Sequence, residues 1–220
     1  MFERFLKLTP NDALFFLRAT GVTLGITLVS ITLGSLLGII FGIIRCSKIK
    51  LLSALPLVYI EPFRNSPLVV QLFLIYYGLP VVSNIVFSDV TAAIITLSLN
   101  TGAFFAVMVH NSIKSIPIAQ WEAGYALGHS KLSVFIHVIT PQSLRLLLPM
   151  AITLYINQLQ CSSMVSLISM IDLCRTGQIL SLRTFRPFLI WGIVFAIYFA
   201  ISFPLAKLAR RIEKHIDFAY

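Results

Sequence analysis

The cysteine and histidine side chains, which are the usual nucleophiles and metal ligands, show no arrangement that supports such chemistry. Cys46, Cys161 and Cys174 form no CxxC pair and have no histidine at metal-ligand spacing. We therefore expect them to be small packing residues. The histidines, which no cluster of carboxylates surrounds, are His110, His129, His137 and His215. The sequence predicts neither thiol nor metal catalysis, and no cofactor is expected.

The residues for nucleotide or ion chemistry are missing as well. No glycine in the chain is followed by lysine, so the phosphate-binding loop GxxxxGK[ST] is absent, and neither HExxH nor GxSxG occurs. Proton-coupled carriers usually keep acidic side chains inside their helix bundle. The eight acids here fall in tails, loops or the ends of apolar stretches. Any uphill transport by this chain must therefore draw its energy from another polypeptide.

The composition places these residues in a membrane protein. Of the 220 residues, 58% are hydrophobic and 11% are charged, and the mean hydropathy is +0.92. Soluble domains have about 45–50% apolar and about 25% charged residues. This balance excludes a soluble enzyme, a disordered chain and a disulfide-stapled scaffold, and predicts an all-α integral membrane protein. The net charge of +9 then indicates topology and contact with lipid headgroups, not nucleic-acid binding.

The apolar stretches are long enough for five membrane-spanning helices. A span needs roughly 20 apolar residues, and a β-barrel would require period-2 alternation, which is missing. The predicted spans, within a single domain of residues 1–220, are 19–44, 65–88, 90–113, 146–171 and 187–206.

The basic residues predict the orientation, because lysine and arginine concentrate in cytoplasmic loops. With five spans, one side receives ten: Arg45, Lys48, Lys50, Lys114, Lys131, Arg145, Lys207, Arg210, Arg211 and Lys214. The other side receives six: Arg4, Lys7, Arg18, Arg175, Arg183 and Arg186. We expect the N-terminus outside and the C-terminus inside.

Two features of the first half leave alternatives open. Gly34, Gly38 and Gly42 are four residues apart, and such a small-residue face serves either a dimer seam or packing against a neighbouring span. Residues 51–63 are either an interfacial helix or the early turns of the second span. Glu61 and Arg64 are three residues apart, which suits a structural ion pair or a direct role in transport.

Residues 114–145 are predicted to form a loop that contains short helices, on the membrane side with the larger number of basic residues. Ser115 and Pro117 resemble a helix start, and an apolar stripe with Trp121 and Tyr125 follows. Gly128 is expected to end this helix. A second stretch, residues 132–139, is expected to stop at a proline, Pro141. A short amphipathic helix of this kind either lies on the membrane or docks into a partner.

The loop carries the first of several resemblances. Glu122-Ala123-Gly124, followed by Gly128 and Pro141, resembles the EAA signature of bacterial ABC importer permeases, with glycine in place of the third alanine. Six further elements resemble the polar amino acid branch in order and spacing: Arg64-Asn65-Ser66-Pro67-Leu68, Tyr76-Tyr77-Gly78-Leu79-Pro80, Asn100-Thr101-Gly102-Ala103-Phe104, Ser115-Ile116-Pro117 before Gln120, Pro141-Gln142 with Pro149, and Ser162-Ser163-Met164-Val165-Ser166. Together they cover about residues 60–170.

The resemblance implies a type I importer permease in the bacterial inner membrane. Its partners would be a cytoplasmic ATPase, an extracytoplasmic solute-binding protein and a second permease subunit, identical or paralogous. The loop would act as a coupling helix through Glu122, Ala123, Gly124 and Gly128, which favours docking over lying on the membrane. The solute path would be lined by polar side chains of the third and fourth spans: Asn100, Asn157, Gln160, Ser162 and Ser163. Hydrogen bonding between helices is the alternative role for these five.

Four departures from the branch affect the expected solute. Val107 and Gln160-Cys161 stand where relatives often carry charged residues, and His110 stands where arginine is common. Without acids at those positions, a cationic amino acid would lack a counter-charge. The expected solute is a neutral or acidic amino acid, or one outside the usual range of this branch. Two other classes remain as alternatives: a stand-alone secondary carrier, and a membrane scaffold that no longer transports.

Overall fold

The computed structural model describes residues 8–217, with side chains up to Lys214, and this part of the chain is helical. Arg4 and Lys7 lie outside the described residues, and the side chain of His215 is not described. Nine helices follow one another in the described range: α1 (Pro10–Arg45), α2 (Lys50–Ala54), α3 (Leu57–Asn65), α4 (Leu68–Ser83), α5 (Asp89–Lys114), α6 (Ile118–Ala126), α7 (Lys131–Ile168), α8 (Leu173–Thr184) and α9 (Pro187–Asp217).

Four of these helices, α1, α5, α7 and α9, are long and apolar enough to cross a membrane. A fifth span exists if the bent pair of residues 50–65 and 68–83 is counted as one. The all-helical, multi-span architecture predicted from the sequence is therefore confirmed, with four or five candidate spans.

The second predicted span, residues 65–88, is not one straight helix. The two arms of the pair meet at an angle of 108°, and α4 ends at Ser83, before a non-helical stretch. The break falls at Ser66, whose backbone is extended (φ −117°, ψ 148°), because a residue that precedes a proline, here Pro67, is disfavoured in helical geometry. Most of residues 51–63, which the sequence left open, form the first arm.

The fourth span also differs from its prediction, because helix α7 begins at Lys131 and runs through Pro141. A proline has no N–H and crowds the carbonyl four residues back. Here a π-helical turn, Phe135–Ile139, precedes it and widens the backbone, and the Thr140 hydroxyl donates to the Phe135 carbonyl at 2.7 Å. The helix therefore does not stop at Pro141, and the loop between spans shrinks from 114–145 to the region around α6.

The glycine-lined face of α1 packs against α5. A methyl group added at Gly34, Gly38 or Gly42 would come within 2.7 Å of the side chains of Thr101, Phe105 and Val109, respectively. Backbone contact this close is how membrane helices associate when hydrophobic burial cannot drive them together. Of the two roles left open by the sequence, the structure shows packing within the chain.

The far end of α1 is fixed to helix α8. Asp12 is buried, accepts from the Thr9 N–H at 2.7 Å, and pairs with the Arg183 guanidinium at 2.6 Å. Asp172 caps the first turn of α8 by accepting from the Arg175 N–H at 2.7 Å. This end of the molecule, which we call the α8 end, is opposite the basic end that carries Arg45 and Lys114.

Candidate functional site

Helix α6 at the basic end has a sharply defined stop. Gly128 has φ +82°, the left-handed conformation that glycine adopts without strain. Its N–H donates to the Tyr125 carbonyl at 2.9 Å, and the His129 N–H donates to the Gly124 carbonyl at 3.3 Å. These two bonds form a Schellman motif. The predicted helix end at Gly128 is confirmed.

One face of α6 packs on the start of α7. Gly124 is buried, and a methyl group there would come within 2.8 Å of Val134, which is itself fully buried. The rings of Trp121 and Phe135 lie 6.3 Å apart. The glycine that departs from the EAA pattern is therefore the residue that lets the two helices approach closely.

The other face of α6 is exposed. Glu122 and Ala123 are both exposed, and so are the large apolar side chains of Ile118 (74%) and Leu127 (79%). Of the predicted stripe only Trp121 is packed, since Tyr125 is also exposed. Gln142 on α7 donates to Gln120 at 3.2 Å and holds the helix in place. The exposed face of α6 therefore combines one carboxylate with apolar groups, and contacts with α7 hold this face in position.

The break between α3 and α4 forms a second polar centre, inside the bundle. Helix α3 ends there, and its last carbonyls lose their helical donors. The buried Gln71 side chain replaces them by donating to the Phe63 carbonyl at 2.8 Å and to the Ser66 carbonyl at 3.0 Å. Asn100 on α5 donates to the same Phe63 carbonyl at 3.3 Å and to the Gln71 side-chain oxygen at 3.2 Å. The predicted path residue Asn100 thus holds the break to α5.

The predicted ion pair between Glu61 and Arg64 is not formed. Glu61 accepts a hydrogen bond from Asn65 at 2.7 Å, and the Arg64 guanidinium lies over the Phe104 ring, 5.7 Å from its centre. The two charged side chains therefore have separate partners.

The four predicted path residues of α7 divide into two kinds. Ser162 is buried and Ser163 half-buried, and each donates to a carbonyl three residues back, at 2.7 Å. Asn157 and Gln160 are exposed. The structure brings Gln160 and Ser163 together on a groove of about 420 Å³ whose opposite wall is α9, with Tyr198 and Ser202 among its lining residues. Asn100, held at the break, does not line this groove.

The sequence analysis did not identify two buried polar residues, one at the α3–α4 break and one at the start of α8. Gln71 is a single amide in an apolar stretch, and its sequence context gives no sign of its role. Asp172, which is fully buried, has the sequence signal of a helix N-cap before α8. Burial raises the pKa of Asp172 to about 6, although hydrogen bonds from the backbone N–H groups of Arg175 and Cys174 lower it.

Residues 34–218 match the family described as "Binding-protein-dependent transport system inner membrane component". The chain belongs to this family. It is therefore the membrane-embedded permease component of a binding-protein-dependent transport system, located in the inner membrane, and the family resemblance drawn from its motifs is confirmed.

Named relatives match the permease over most of its length. It is 34% identical to the L-cystine transport system permease protein TcyB of Bacillus subtilis, over 89% of this chain and 83% of TcyB. It is 33% identical to the glutamine transport system permease protein GlnP of Escherichia coli, over 89% of this chain and 90% of GlnP. A chain in the crystal structure of an amino acid ABC transporter with histidines superposes with a TM-score of 0.85 and 32% identity, covering 92% of this permease and 94% of that chain.

Proposed function

We propose that the permease is the translocation subunit of an ATP-driven importer for amino acids with uncharged or acidic side chains. Two relatives, a glutamine permease and an L-cystine permease, support the solute class. The absence of a phosphate-binding loop from the sequence supports the need for a separate ATPase.

In this proposal the basic end faces the cytoplasm and the N-terminus lies outside, as the excess of lysine and arginine favours. A solute-binding protein then delivers solute at the α8 end, and a second permease subunit, identical or paralogous, completes the path. The exposure of Asn157 and Gln160 on a spanning helix supports a partner or a wet path at that face, because unsatisfied polar groups in lipid are costly.

The observation that best supports a coupling role is the way α6 is held against α7. A helix held by Gly124 against Val134 and ended by Gly128 keeps Glu122 and Ala123 exposed at a fixed angle. Its apolar neighbours Ile118 and Leu127 offer anchors for a groove on the ATPase. Nucleotide-driven movement of the ATPase would then turn α6 and, through Trp121 and Phe135, the base of α7.

The solute preference rests on missing acids. Between residues 13 and 171 the sequence has only Glu61, Asp89 and Glu122, and the last two lie at a helix start and in α6. A buried cation without a partner costs several kcal/mol by order-of-magnitude estimate. Arginine or lysine as solute is therefore disfavoured relative to glutamine.

Reconstitution into vesicles tests the proposal. The permease with its ATPase and binding protein should accumulate labelled L-glutamine or another neutral or acidic amino acid when ATP is supplied, and excess arginine should not compete. The purified permease alone should not accumulate solute. Gradient-driven uptake by the permease alone would instead show a secondary carrier, and failure of the complex to move any solute would show a non-transporting scaffold.

A further inference from the structure

The helix break between α3 and α4 places a charged side chain beside the middle of a spanning helix. Helix α5 runs from Asp89 to Lys114, and the residues that contact the break, Asn100 and Phe104, lie in its central turns. The Arg64 guanidinium lies 5.7 Å from the centre of the Phe104 ring. Arg64 thus lies beside the central turns of α5, one of the candidate membrane spans.

Among the side chains that the structure describes, no carboxylate forms an ion pair with this guanidinium. Glu61 is the only acid of α3, and its carboxylate is hydrogen-bonded to Asn65. Helices α1 after Asp12, α5 after Asp89 and α7 throughout contain no acid at all. A guanidinium stays charged in proteins, and a charge at membrane depth pairs with another group or lines a water-filled cavity.

The contacts around Arg64 fix the position of its guanidinium. The Phe104 ring supports one face of the guanidinium, and cation–π contacts of this kind hold the group in place. Gln71 and Asn100 both donate to the Phe63 carbonyl, so both acceptor positions of that carbonyl are already used. Arg64 is only half-buried in the isolated chain, which leaves part of the guanidinium open to a ligand.

We propose that Arg64, held over Phe104 at the α3–α4 break, binds the carboxylate of the transported solute. This inference rests on the proposed amino acid import. The planar fork of a guanidinium matches a carboxylate with two parallel hydrogen bonds, and broken helices near the membrane midplane are where transporters commonly bind charged solute groups. The site would recognise the carboxylate that every amino acid carries and would repel a cationic side chain.

The first test is access to the site. In a variant whose native cysteines are replaced by serine, Arg64→Cys in vesicles should react with a small charged methanethiosulfonate reagent, because a carboxylate-binding residue must face the path. Absence of any reaction would place residue 64 against protein or lipid and overturn the proposal.

The second test is the uptake kinetics of the reconstituted complex with L-glutamine. Arg64→Gln should raise KM at least tenfold, which is about 1.4 kcal/mol of binding, and Arg64→Lys should raise it less because the charge remains. Phe104→Leu, which removes only the supporting ring, should have a smaller effect than Arg64→Gln. Glu61→Gln is the matched control and should keep the wild-type KM.

The outcomes separate this site from the proposed function. Wild-type amino acid uptake combined with an unchanged KM in Arg64→Gln would overturn the Arg64 site and leave the function standing. If Arg64→Gln and Glu61→Gln reduce uptake equally and the two permease subunits no longer associate, Arg64 serves subunit assembly, and the proposed site is overturned. If the wild-type complex moves no amino acid, the proposed function fails and the carboxylate site fails with it.

Discussion

At the residue scale, the role of a glycine or a buried polar group depends on which residues contact it in the folded protein. Gly21 and Gly25 have no atom within 4 Å of an added methyl group, whereas Gly38, on the same helix, would collide with Phe105. The sequence shows the regular spacing of Gly34, Gly38 and Gly42, but spacing alone cannot tell a dimer seam from packing within the chain. The partner helix is the missing information, and it begins some fifty residues later.

Gly38→Leu should destabilise the permease, because the added side chain meets Phe105 and the Ala106 backbone at 2.7–3.0 Å. Overpacking of this kind costs about 1–3 kcal/mol or more. The free energy of unfolding in mixed detergent micelles is the measurement. Gly25→Leu, on the open face of the same helix, is the matched control and should stay within about 0.5 kcal/mol of wild type.

Equal stability of the Gly38→Leu and Gly25→Leu variants would contradict the α1–α5 contact. The loss in Gly38→Leu should also appear in the monomeric permease, since the contact lies within one chain.

Asp172→Asn should remove a pH dependence of stability. The native carboxyl holds its proton up to a pKa of about 6, against an ordinary value of 3.8, so between these values the native state binds more protons than the unfolded state. Stability therefore falls as pH rises from about 4 to 6, by about 3 kcal/mol, and is flat above. Unfolding midpoints of wild type and Asp172→Asn across pH 4.5–7.5 measure this. A slope that survives in the variant would belong to another group.

At the scale of elements, local signals predict α6 well and predict α4 and α7 poorly. Pro117, the apolar stripe and Gly128 are short-range signals, and they give both ends of α6. The break at Ser66–Pro67 follows from the same proline rule, yet its 108° bend depends on Gln71 and Asn100 satisfying the freed carbonyls. The passage of α7 through Pro141 depends on a π turn, which hydrophobic periodicity does not reveal.

Glu122→Lys should leave membrane insertion and permease stability near wild type but uncouple ATP hydrolysis from uptake. The side chain is exposed on α6, so its reversal changes the docking surface and not the fold. The measurement pairs solute uptake with co-purification of the ATPase. Lys48→Glu, a charge reversal at an exposed site in another loop of the same end, is the matched control.

Gly128→Pro should also uncouple ATP hydrolysis from uptake, because it disrupts the end of α6. Proline cannot adopt the positive φ of Gly128 and lacks the N–H that donates to the Tyr125 carbonyl. Normal coupled uptake in both the Glu122 and Gly128 variants would remove the coupling role from α6.

At the scale of the whole molecule, composition and charge predict a multi-span helical protein, and motif order predicts its family. The assignment of path residues needed the structure. Gln160 and Ser163 line a groove together with α9, whereas Asn100 is hydrogen-bonded at the α3–α4 break. The five residues looked equivalent in sequence because each is a polar side chain in an apolar helix, and only their contacts distinguish them.

The proposed orientation predicts which surfaces an impermeant thiol reagent reaches. With the native cysteines replaced by serine, Leu182→Cys on α8 should react from outside intact cells, because Leu182 is 76% exposed at the α8 end. Ser130→Cys, exposed beside α6, should react only after the membrane is opened. Labelling of residue 130 in intact cells would reverse the topology and exclude a cytoplasmic ATPase at α6.

The contact between Gly38 and Phe105 also constrains how the protein is made. Phe105 follows Gly38 by 67 residues in the chain (105 − 38), which the ribosome adds in roughly 3–13 s at about 5–20 residues per second. During that interval the glycine face of the first helix has left the ribosome without its partner. The nascent chain must therefore be held by the insertion machinery or by lipid until α5 emerges. During this interval, two such glycine faces from neighbouring nascent chains are free to pair prematurely.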